Sequence, residues 1–386
     1  PFYTRLTAAG AVHEEVYGWE RPRWFATDEL AAQDVYSFRR CDWLEAVERE
    51  VRAVRERVGM MDISAFAKIE VSGAGAHAFV SRAIANRPPR TTGGIVLSHV
   101  LNRKGTIEAE TTVVRLGESH FYFVCAAFFE QRLYDWLSAL AGDDANVRIV
   151  NVSSETAALA LQGPRARDVL SAVTEAELGN EHFRWLTART VRIAGTHVRA
   201  LRISYAGELG WELHMPLAGA LEVFDALVAA GEAHGMQHYG SFAMNAMRME
   251  KMFKGASELT NEVTLPEADV MRFVKLDKPG GFVGDEATRA SAAANARPWQ
   301  CVYLQVDAND ADCLGGEAVT VGGERIGAIS SGAYAPTCAT SLAFAYVTPA
   351  YAEPGTALEV TVLGERVSAR VLGEPVYDAA NERPRM

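Results

Sequence analysis

The 386-residue sequence has few cysteines, and their arrangement gives them no shared role. The five cysteines are scattered, odd in number and without CxxC spacing, at positions 41, 125, 301, 313 and 338. We therefore expect reduced thiols with no disulfide framework and no metal site. His234 and His238 have the four-residue spacing of two helical metal ligands. However, Gly235 between them is typical of a helix end, so we expect a helix running into a loop.

Long apolar runs and an excess of positive charge are also missing. No segment approaches 18 consecutive apolar residues, and the N-terminal stretch has no signal-peptide core. The composition is 49% hydrophobic and 23% charged, as in ordinary globular proteins, and the net charge is −11. This balance argues against nucleic acid or an anionic membrane as a partner. We expect a cytoplasmic protein, and the charge does not identify a substrate.

The signatures of several common enzyme classes are absent. The sequence contains no GxSxG, Walker A or kinase motif, which excludes the usual forms of nucleophile-elbow hydrolysis and P-loop chemistry. One GxGxxA match, formed by Gly73, Gly75 and Ala78, lies between a predicted strand and a predicted helix. It lacks the acidic residue that a dinucleotide-binding fold places about 20 residues later. We interpret it as a tight strand-to-helix turn.

The order of predicted elements favours an α+β fold with a duplicated unit. Segments 70–81 and 160–171 align without a gap, and each reads as a strand, a glycine turn and a helix. The stretch 42–60 has the apolar spacing of an amphipathic helix. Residues 290–298 are small and polar and end in proline, so they predict a linker. The strands predicted after this linker indicate a small all-β barrel or sandwich.

The stretch "GTIEAETTVV" (105–114) reads as a strand that two glutamates interrupt. Ile107 and the residues of 111–114 favour a strand because they branch at Cβ. Alternate side chains share one face of a strand, so Glu108 and Glu110 lie on the same face. One interpretation is a solvated face of an antiparallel strand, which is the common case. The other is a carboxylate at the floor of a pocket.

The segment "SYAGELGWELHMP" (204–216) carries a second candidate carboxylate. Gly207 and Gly210 predict a tight turn between two strands of the 190–215 region. Glu212 follows in the second strand between Trp211 and Leu213, and a carboxylate needs a partner if it is buried there. It accepts hydrogen bonds only, which suits a planar edge with two adjacent N–H donors, such as the 2-amino-4-oxo edge of a pterin. A decorated hairpin with no ligand remains the alternative.

These segments, with "DISAFAKIEVSG", "RMEKMFKGASELTNE" and "FVKLDK", resemble the folate-dependent aminomethyltransferases, the T-protein family of glycine cleavage. The resemblance is strongest to the C-terminal folate domain of dimethylglycine and sarcosine dehydrogenases and covers essentially the whole chain. It implies a three-lobed α+β ring with tetrahydrofolate in a central channel. Residues 1–290 would form two intertwined folate-binding lobes, the second at roughly 63–146. Residues 299–386 would form a C-terminal β-barrel.

The resemblance also implies roles for individual residues. Glu110 matches the family's catalytic carboxylate, which would lie near N5 and N10 of tetrahydrofolate, and Tyr205 matches a tyrosine that we assign to catalysis with it. Glu212 matches the glutamate that holds the pterin, and Tyr122 matches a tyrosine that lines the folate pocket. We expect Trp211 to contribute to the cofactor pocket, although Tyr205 and Trp211 could equally be core residues.

Two positions depart from the glycine-cleavage pattern. Met244 replaces an arginine that contacts the folate, and Ala126 replaces a folate-contacting asparagine. These differences disfavour the glycine-cleavage reaction itself and leave recognition of the folate tail unexplained.

Three functions follow from the resemblance. The first is a tetrahydrofolate-dependent transferase or demethylase that moves a methyl or methylene group from a small N-, O- or S-methylated compound. Methyl transfer needs no flavin domain, and the sequence contains none. The second is a folate-binding subunit that traps formaldehyde or an iminium made by a separate flavoprotein dehydrogenase. The third, a folate-binding regulator without chemistry, is disfavoured because "FKGASELTNE" lacks the cysteine of that branch.

Overall fold

The computed structural model of the protein describes residues 1–27, 32, 36–294 and 297–386. Within these ranges, no helix has the length and apolar character needed to cross a bilayer. The helices, in chain order, are α1 (Tyr3–Ala8), α2 (Trp43–Glu56), α3 (Ala76–Ala83), α4 (Glu130–Ala141), α5 (Ala166–Val173), α6 (Ala220–Glu232), α7 (Ser241–Glu250) and α8 (Asp285–Ala293). The strands are β1 (Ala11–Val16), β2 (Trp19–Phe25), β3 (Gly59–Asp62), β4 (Ala67–Ser72), β5 (Ile95–Leu101), β6 (Ile107–Gly117), β7 (His120–Cys125), β8 (Arg148–Asn151), β9 (Thr156–Gln162), β10 (Ala188–Ile193), β11 (Thr196–Leu201), β12 (Gly210–Pro216), β13 (Gln237–His238), β14 (Gln300–Val306), β15 (Ala318–Val321), β16 (Glu324–Ala335), β17 (Thr340–Val347), β18 (Ala357–Val362) and β19 (Glu365–Leu372).

Two sheets form the larger part of the molecule, and one is inserted into the other along the chain. The six-stranded sheet has the order β10-β11-β12-β9-β3-β13, and the five-stranded sheet has the order β5-β6-β7-β4-β8. The whole five-stranded sheet, residues 67–151, lies in sequence between β3 and β9 of the other sheet. The prediction of an α+β fold with intertwined sheet-and-helix units is therefore confirmed.

Each sheet packs one face against its own helices. In the six-stranded sheet, Leu161 and Leu213 pack with Leu170 of α5 and Phe224 of α6 in one buried cluster. In the five-stranded sheet, the corresponding cluster joins β-strand residues such as Val113 and Phe123 to residues of α3 and α4. Apolar residues at alternate strand positions produce these clusters, since alternate side chains share a face.

The remaining faces of the two sheets meet each other. A smaller buried cluster contains Val114 and Tyr122 from the five-stranded sheet together with Ala188 and Leu201 from the six-stranded sheet. Side chains on the same face of β6 as Val114, including Glu110, are therefore turned toward the other sheet.

The internal repeat corresponds to two equivalent structural units. Gly73 connects β4 to α3 and Gly163 connects β9 to α5, with φ values of +115° and +131°. A Cβ at Gly73 would lie 2.2 Å from the carbonyl oxygen of Asn146, and one at Gly163 would lie 2.5 Å from that of Arg57. Glycine is required in both turns because of this close backbone approach and the left-handed conformation. The interpretation of "VSGAGAHA" as a tight turn is thus confirmed.

The C-terminal strands close into a six-stranded barrel. The order is β14-β17-β16-β15-β18-β19, and β19 pairs back with β14. The barrel interior is apolar, with Leu304, Val319 and Val360 fully buried. Of the two predicted alternatives, barrel and sandwich, the structure has the barrel.

Three predicted elements differ in the structure. The helix predicted over 42–60 ends at Glu56, because strand β3 begins at Gly59. The predicted linker 290–298 is helical as far as Ala293, and residues 295–296 lie outside the described residues. The predicted tight turn before β12 is instead a loop of residues 202–209. Strand β11 ends at Leu201, which pairs with Glu212 of β12, so eight residues connect the two strands.

Candidate functional site

The two glutamates of β6 share a face, but they have different partners. Glu108 accepts a hydrogen bond from Nδ2 of Asn102 at 2.8 Å, and Nε of Arg132 lies 3.9 Å from its other carboxylate oxygen. Glu110 has no such hydrogen bond from any described residue, and its side chain is 23% exposed. Glu108 is therefore held in place by a neighbouring side chain, whereas Glu110 accepts no hydrogen bond from the described residues.

A histidine lies beside the free carboxylate. His99 on β5 is directly opposite Glu110 in the antiparallel pairing of β5 with β6. Its Nε2 is 3.5 Å from Oε1 of Glu110, which is longer than a normal hydrogen bond. His99 is fully buried, whereas the side chain of Glu110 is partly exposed.

Glu212 is buried beside a histidine, and that histidine in turn contacts a tyrosine. Nε2 of His214 lies 3.4 Å from a Glu212 oxygen, and Nδ1 of His214 lies 3.0 Å from the hydroxyl of Tyr122. A carboxylate only accepts hydrogen bonds, so Nε2 carries the proton and Nδ1 accepts from the tyrosine. Burial lowers the pKa of His214, and its effect is larger than the opposing effect of the Glu212 carboxylate. The histidine ring is therefore neutral.

Charged residues continue this arrangement toward the surface. The guanidinium of Arg199 lies 4.2 Å from the centre of the Tyr122 ring and 3.2 Å from a Glu70 oxygen. Nε2 of His120, on β7, lies 3.1 Å from the other oxygen of Glu70. The guanidinium over the aromatic face and the carboxylate beside it fix the tyrosine ring. The Tyr122 side chain itself is fully buried.

Tyr205 lies in the loop before β12. Its hydroxyl donates a hydrogen bond to the backbone oxygen of Lys254 at 2.8 Å, and its ring stacks on that of Phe253. Burial raises the pKa of Tyr205, and the negative charge of Glu110 raises it further. The phenol is therefore neutral near pH 7 and cannot serve as a resting base.

Trp211 lies away from these groups. It is adjacent to Glu212 in β12 and so points to the opposite face of the sheet, where it packs edge-on against Phe183. It is fully buried in the cluster formed with α5 and α6. The structure links Glu212 to Tyr122 through His214, whereas Trp211 points to the opposite face of the sheet and is not part of this link.

Two histidines of the site did not emerge from the sequence. His214 could have been found, because the alternation in "GWELHMP" places it on the same face as Glu212 and opposite Trp211. His99 carries no such signal. Its position beside Glu110 depends on the register of β5 against β6, including the irregularity between Val100 and Leu101.

Comparison with known families identifies the family to which the chain belongs. The family model described as "GCVT N-terminal domain" matches residues 2–278. The chain belongs to this family. The model described as "Glycine cleavage T-protein C-terminal barrel domain" matches residues 300–378, which contain the closed barrel. The predicted family is therefore confirmed.

Some curated relatives are more than twice as long as this chain, and others have about its length. The chain is 34% identical to "Dimethylglycine dehydrogenase, mitochondrial" of Homo sapiens over 96% of its own length, but spans only 43% of that protein. It is 31% identical to "Aminomethyltransferase" of Saccharopolyspora erythraea, with 98% of this chain and 97% of that protein covered. Family membership thus supports a transferase of the aminomethyltransferase type, related to the dehydrogenases.

A solved structure confirms the fold. The glycine cleavage system aminomethyltransferase T from Bartonella henselae superposes with a TM-score of 0.84, covering 98% of each chain at 23% identity. The T-protein-like architecture predicted from the sequence is the architecture observed.

Proposed function

We propose that this protein is a tetrahydrofolate-dependent one-carbon transferase or demethylase that acts on a small N-, O- or S-methylated compound. The observation that carries the proposal is the state of Glu110, a partly exposed carboxylate with no hydrogen bond from the described residues. It lies on the face of the five-stranded sheet that is turned to the six-stranded sheet, which carries Glu212. A partly exposed carboxylate that accepts no hydrogen bond from the described residues is available to accept one from a ligand, which favours a ligand site here.

The residues fit the chemistry of a pterin. Glu212 has one oxygen facing His214, and its Oε1 accepts no hydrogen bond from any described residue. That oxygen would accept from the 2-amino edge of the ring, while His214 and Tyr122 hold the carboxylate from behind. When bound, tetrahydrofolate would supply the nucleophilic nitrogen that receives the one-carbon unit.

Glu110 and Tyr205 would have separate tasks beside the reacting groups. The carboxylate of Glu110 stabilises positive charge in its vicinity and can hold or accept a proton. The neutral phenol of Tyr205, whose hydroxyl is fixed on the Lys254 carbonyl, contributes a rigid polar wall. Fixed groups of this kind align reactants, and alignment accounts for much of the barrier that a transferase removes.

Calorimetry under anaerobic conditions tests the site with tetrahydrofolate as the titrant. We expect micromolar binding, on the order of −8 kcal/mol, by the wild type and loss of binding in Glu212→Ala. Glu110→Gln should bind but lose turnover in a screen of methylated amines, ethers and thioethers. The matched control is Glu108→Gln, which alters the neighbouring, already engaged carboxylate and should keep both properties. No binding by a well-folded wild type, or full turnover by Glu110→Gln, would contradict the proposal.

A second candidate is a folate-binding subunit that traps formaldehyde or an iminium released by a flavoprotein dehydrogenase. It is favoured by the similarity to dimethylglycine dehydrogenase, a relative named as a dehydrogenase of a methylated amine. Co-purification of a flavin-containing dehydrogenase with the protein would support this candidate. Turnover of a methylated donor by the isolated protein would argue against it.

A further inference from the structure

His99 is a fully buried histidine whose ring has no hydrogen bond. Neither Nδ1 nor Nε2 has a partner among the described residues, although the side chain has no exposure to solvent. Its backbone oxygen, in contrast, accepts a hydrogen bond from the amide of Ala85. A buried polar group without a partner destabilises the folded state, so this ring is expected to have a compensating role.

Packing alone does not account for the histidine. The ring lies 5.9 Å from that of Phe273 in a tilted arrangement, and the strand residues next to it, Val100 and Leu101, are apolar and fully buried. An aliphatic side chain would fill the same position without leaving an N–H unpaired. The polar atoms of His99 therefore need a partner that is close but not yet engaged.

The group that meets this requirement is Glu110. The two residues are directly opposite in the β5–β6 pairing, and the gap between His99 Nε2 and Glu110 Oε1 is 3.5 Å. A small rotation of the partly exposed carboxylate shortens this gap to hydrogen-bond distance. Glu108, on the same face, does not compete because Asn102 already binds it.

We propose that His99 is a positioning residue for Glu110. Its Nε2–H donates to the carboxylate once a ligand occupies the proposed folate site, and this contact fixes Glu110 in one orientation toward the ligand. The inference rests on the proposed folate site, because bound tetrahydrofolate is the ligand that would bring Glu110 within hydrogen-bond distance of His99. It predicts that the two residues act as a unit toward the ligand.

A double-mutant cycle with tetrahydrofolate as the titrant tests this coupling by calorimetry. The four proteins are the wild type, His99→Met, Glu110→Gln and the double variant. We expect His99→Met to weaken binding about tenfold in the wild-type background, the effect of one charge-assisted hydrogen bond. In the Glu110→Gln background the same change should cost less than about threefold, because its partner is already altered.

Stability and a conservative variant distinguish positioning from a structural role. His99→Met removes an unpaired buried polar ring, so urea unfolding should show equal or higher stability than in the wild type. His99→Gln keeps an N–H donor near the place of Nε2 and should restore binding to within about threefold. A purely structural histidine would instead lower stability when replaced by methionine.

Two failures remain distinct in this experiment. If the wild type binds tetrahydrofolate but His99→Met weakens binding equally in both backgrounds, His99 acts independently of Glu110 and the inference is wrong. If the folded wild type does not bind at all, the proposed folate site is wrong and the inference falls with it.

Discussion

Replacing Tyr122 with phenylalanine removes a single hydroxyl, and its consequences follow from the protonation of His214. In the folded protein this hydroxyl donates to Nδ1 of His214 at 3.0 Å, which leaves the Nε2 proton for Glu212. Without it, the neutral ring has two options. It can keep its Nε2 proton with Nδ1 unpaired, or move the proton to Nδ1 and lose its contact with Glu212.

Either option lowers the free energy of unfolding by an amount that can be measured. A buried intramolecular hydrogen bond contributes about 1 kcal/mol, and a buried acceptor left unpaired costs about 1–3 kcal/mol. We therefore expect Tyr122→Phe to lower the free energy of unfolding by about 1–3 kcal/mol. Loss of the fixed Glu212 orientation should also weaken tetrahydrofolate binding about tenfold, which corresponds to about 1.4 kcal/mol.

Tyr303→Phe is the matched control for this experiment. Tyr303, on strand β14 of the C-terminal barrel, is also fully buried, and its hydroxyl donates to the backbone oxygen of Met249 at 2.8 Å. Both variants should lose similar stability in urea titrations, but only Tyr122→Phe should lose affinity in calorimetry. If Tyr122→Phe binds tetrahydrofolate as tightly as the control, the tyrosine does not orient Glu212 and the reasoning is refuted.

Two further predictions concern buried charges outside the site. The guanidinium of Arg55 lies 2.9 Å from Glu208 and 2.7 Å from Glu250, and Arg55→Met would leave these two buried carboxylates without their cation. The variant should lower the free energy of unfolding by about 3–5 kcal/mol in chemical unfolding. The control Arg5→Met, at a half-exposed surface pair, should change it little. Burial raises the pKa of Glu50 from 4.5 to about 8, so the folded protein keeps a proton that the unfolded chain releases. The contribution of Glu50 to stability should therefore fall as pH rises from about 4.5 to 8, by up to about 1.4 kcal/mol per pH unit. Glu50→Gln should remove this dependence of stability on pH, whereas Glu45→Gln, on the exposed side of the same helix, should retain it. If the stability of Glu50→Gln varied with pH as that of the wild type does, the raised pKa of Glu50 would not be its cause.

The sequence by itself determined the features that depend on local periodicity. Alternation placed Glu108 and Glu110 on one face of β6, and the paired strand–glycine–helix patterns located both copies of the repeat. Turn residues and strand patterns after residue 299 predicted a small all-β unit, either a barrel or a sandwich, and the family resemblance implied the barrel. These features follow from how neighbouring residues share a face or a turn, which a sequence records directly.

Only the tertiary structure decided which carboxylate is free. Asn102 reaches Glu108 from the turn before β6, whereas Glu110 meets His99, and nothing in the spacing of the two glutamates distinguishes them. The His214–Tyr122 contact joins residues that are 92 positions apart and depends on the packing of one sheet against the other. Such contacts are set by strand register and sheet packing, which involve segments distant in sequence, so local patterns carry no information about them.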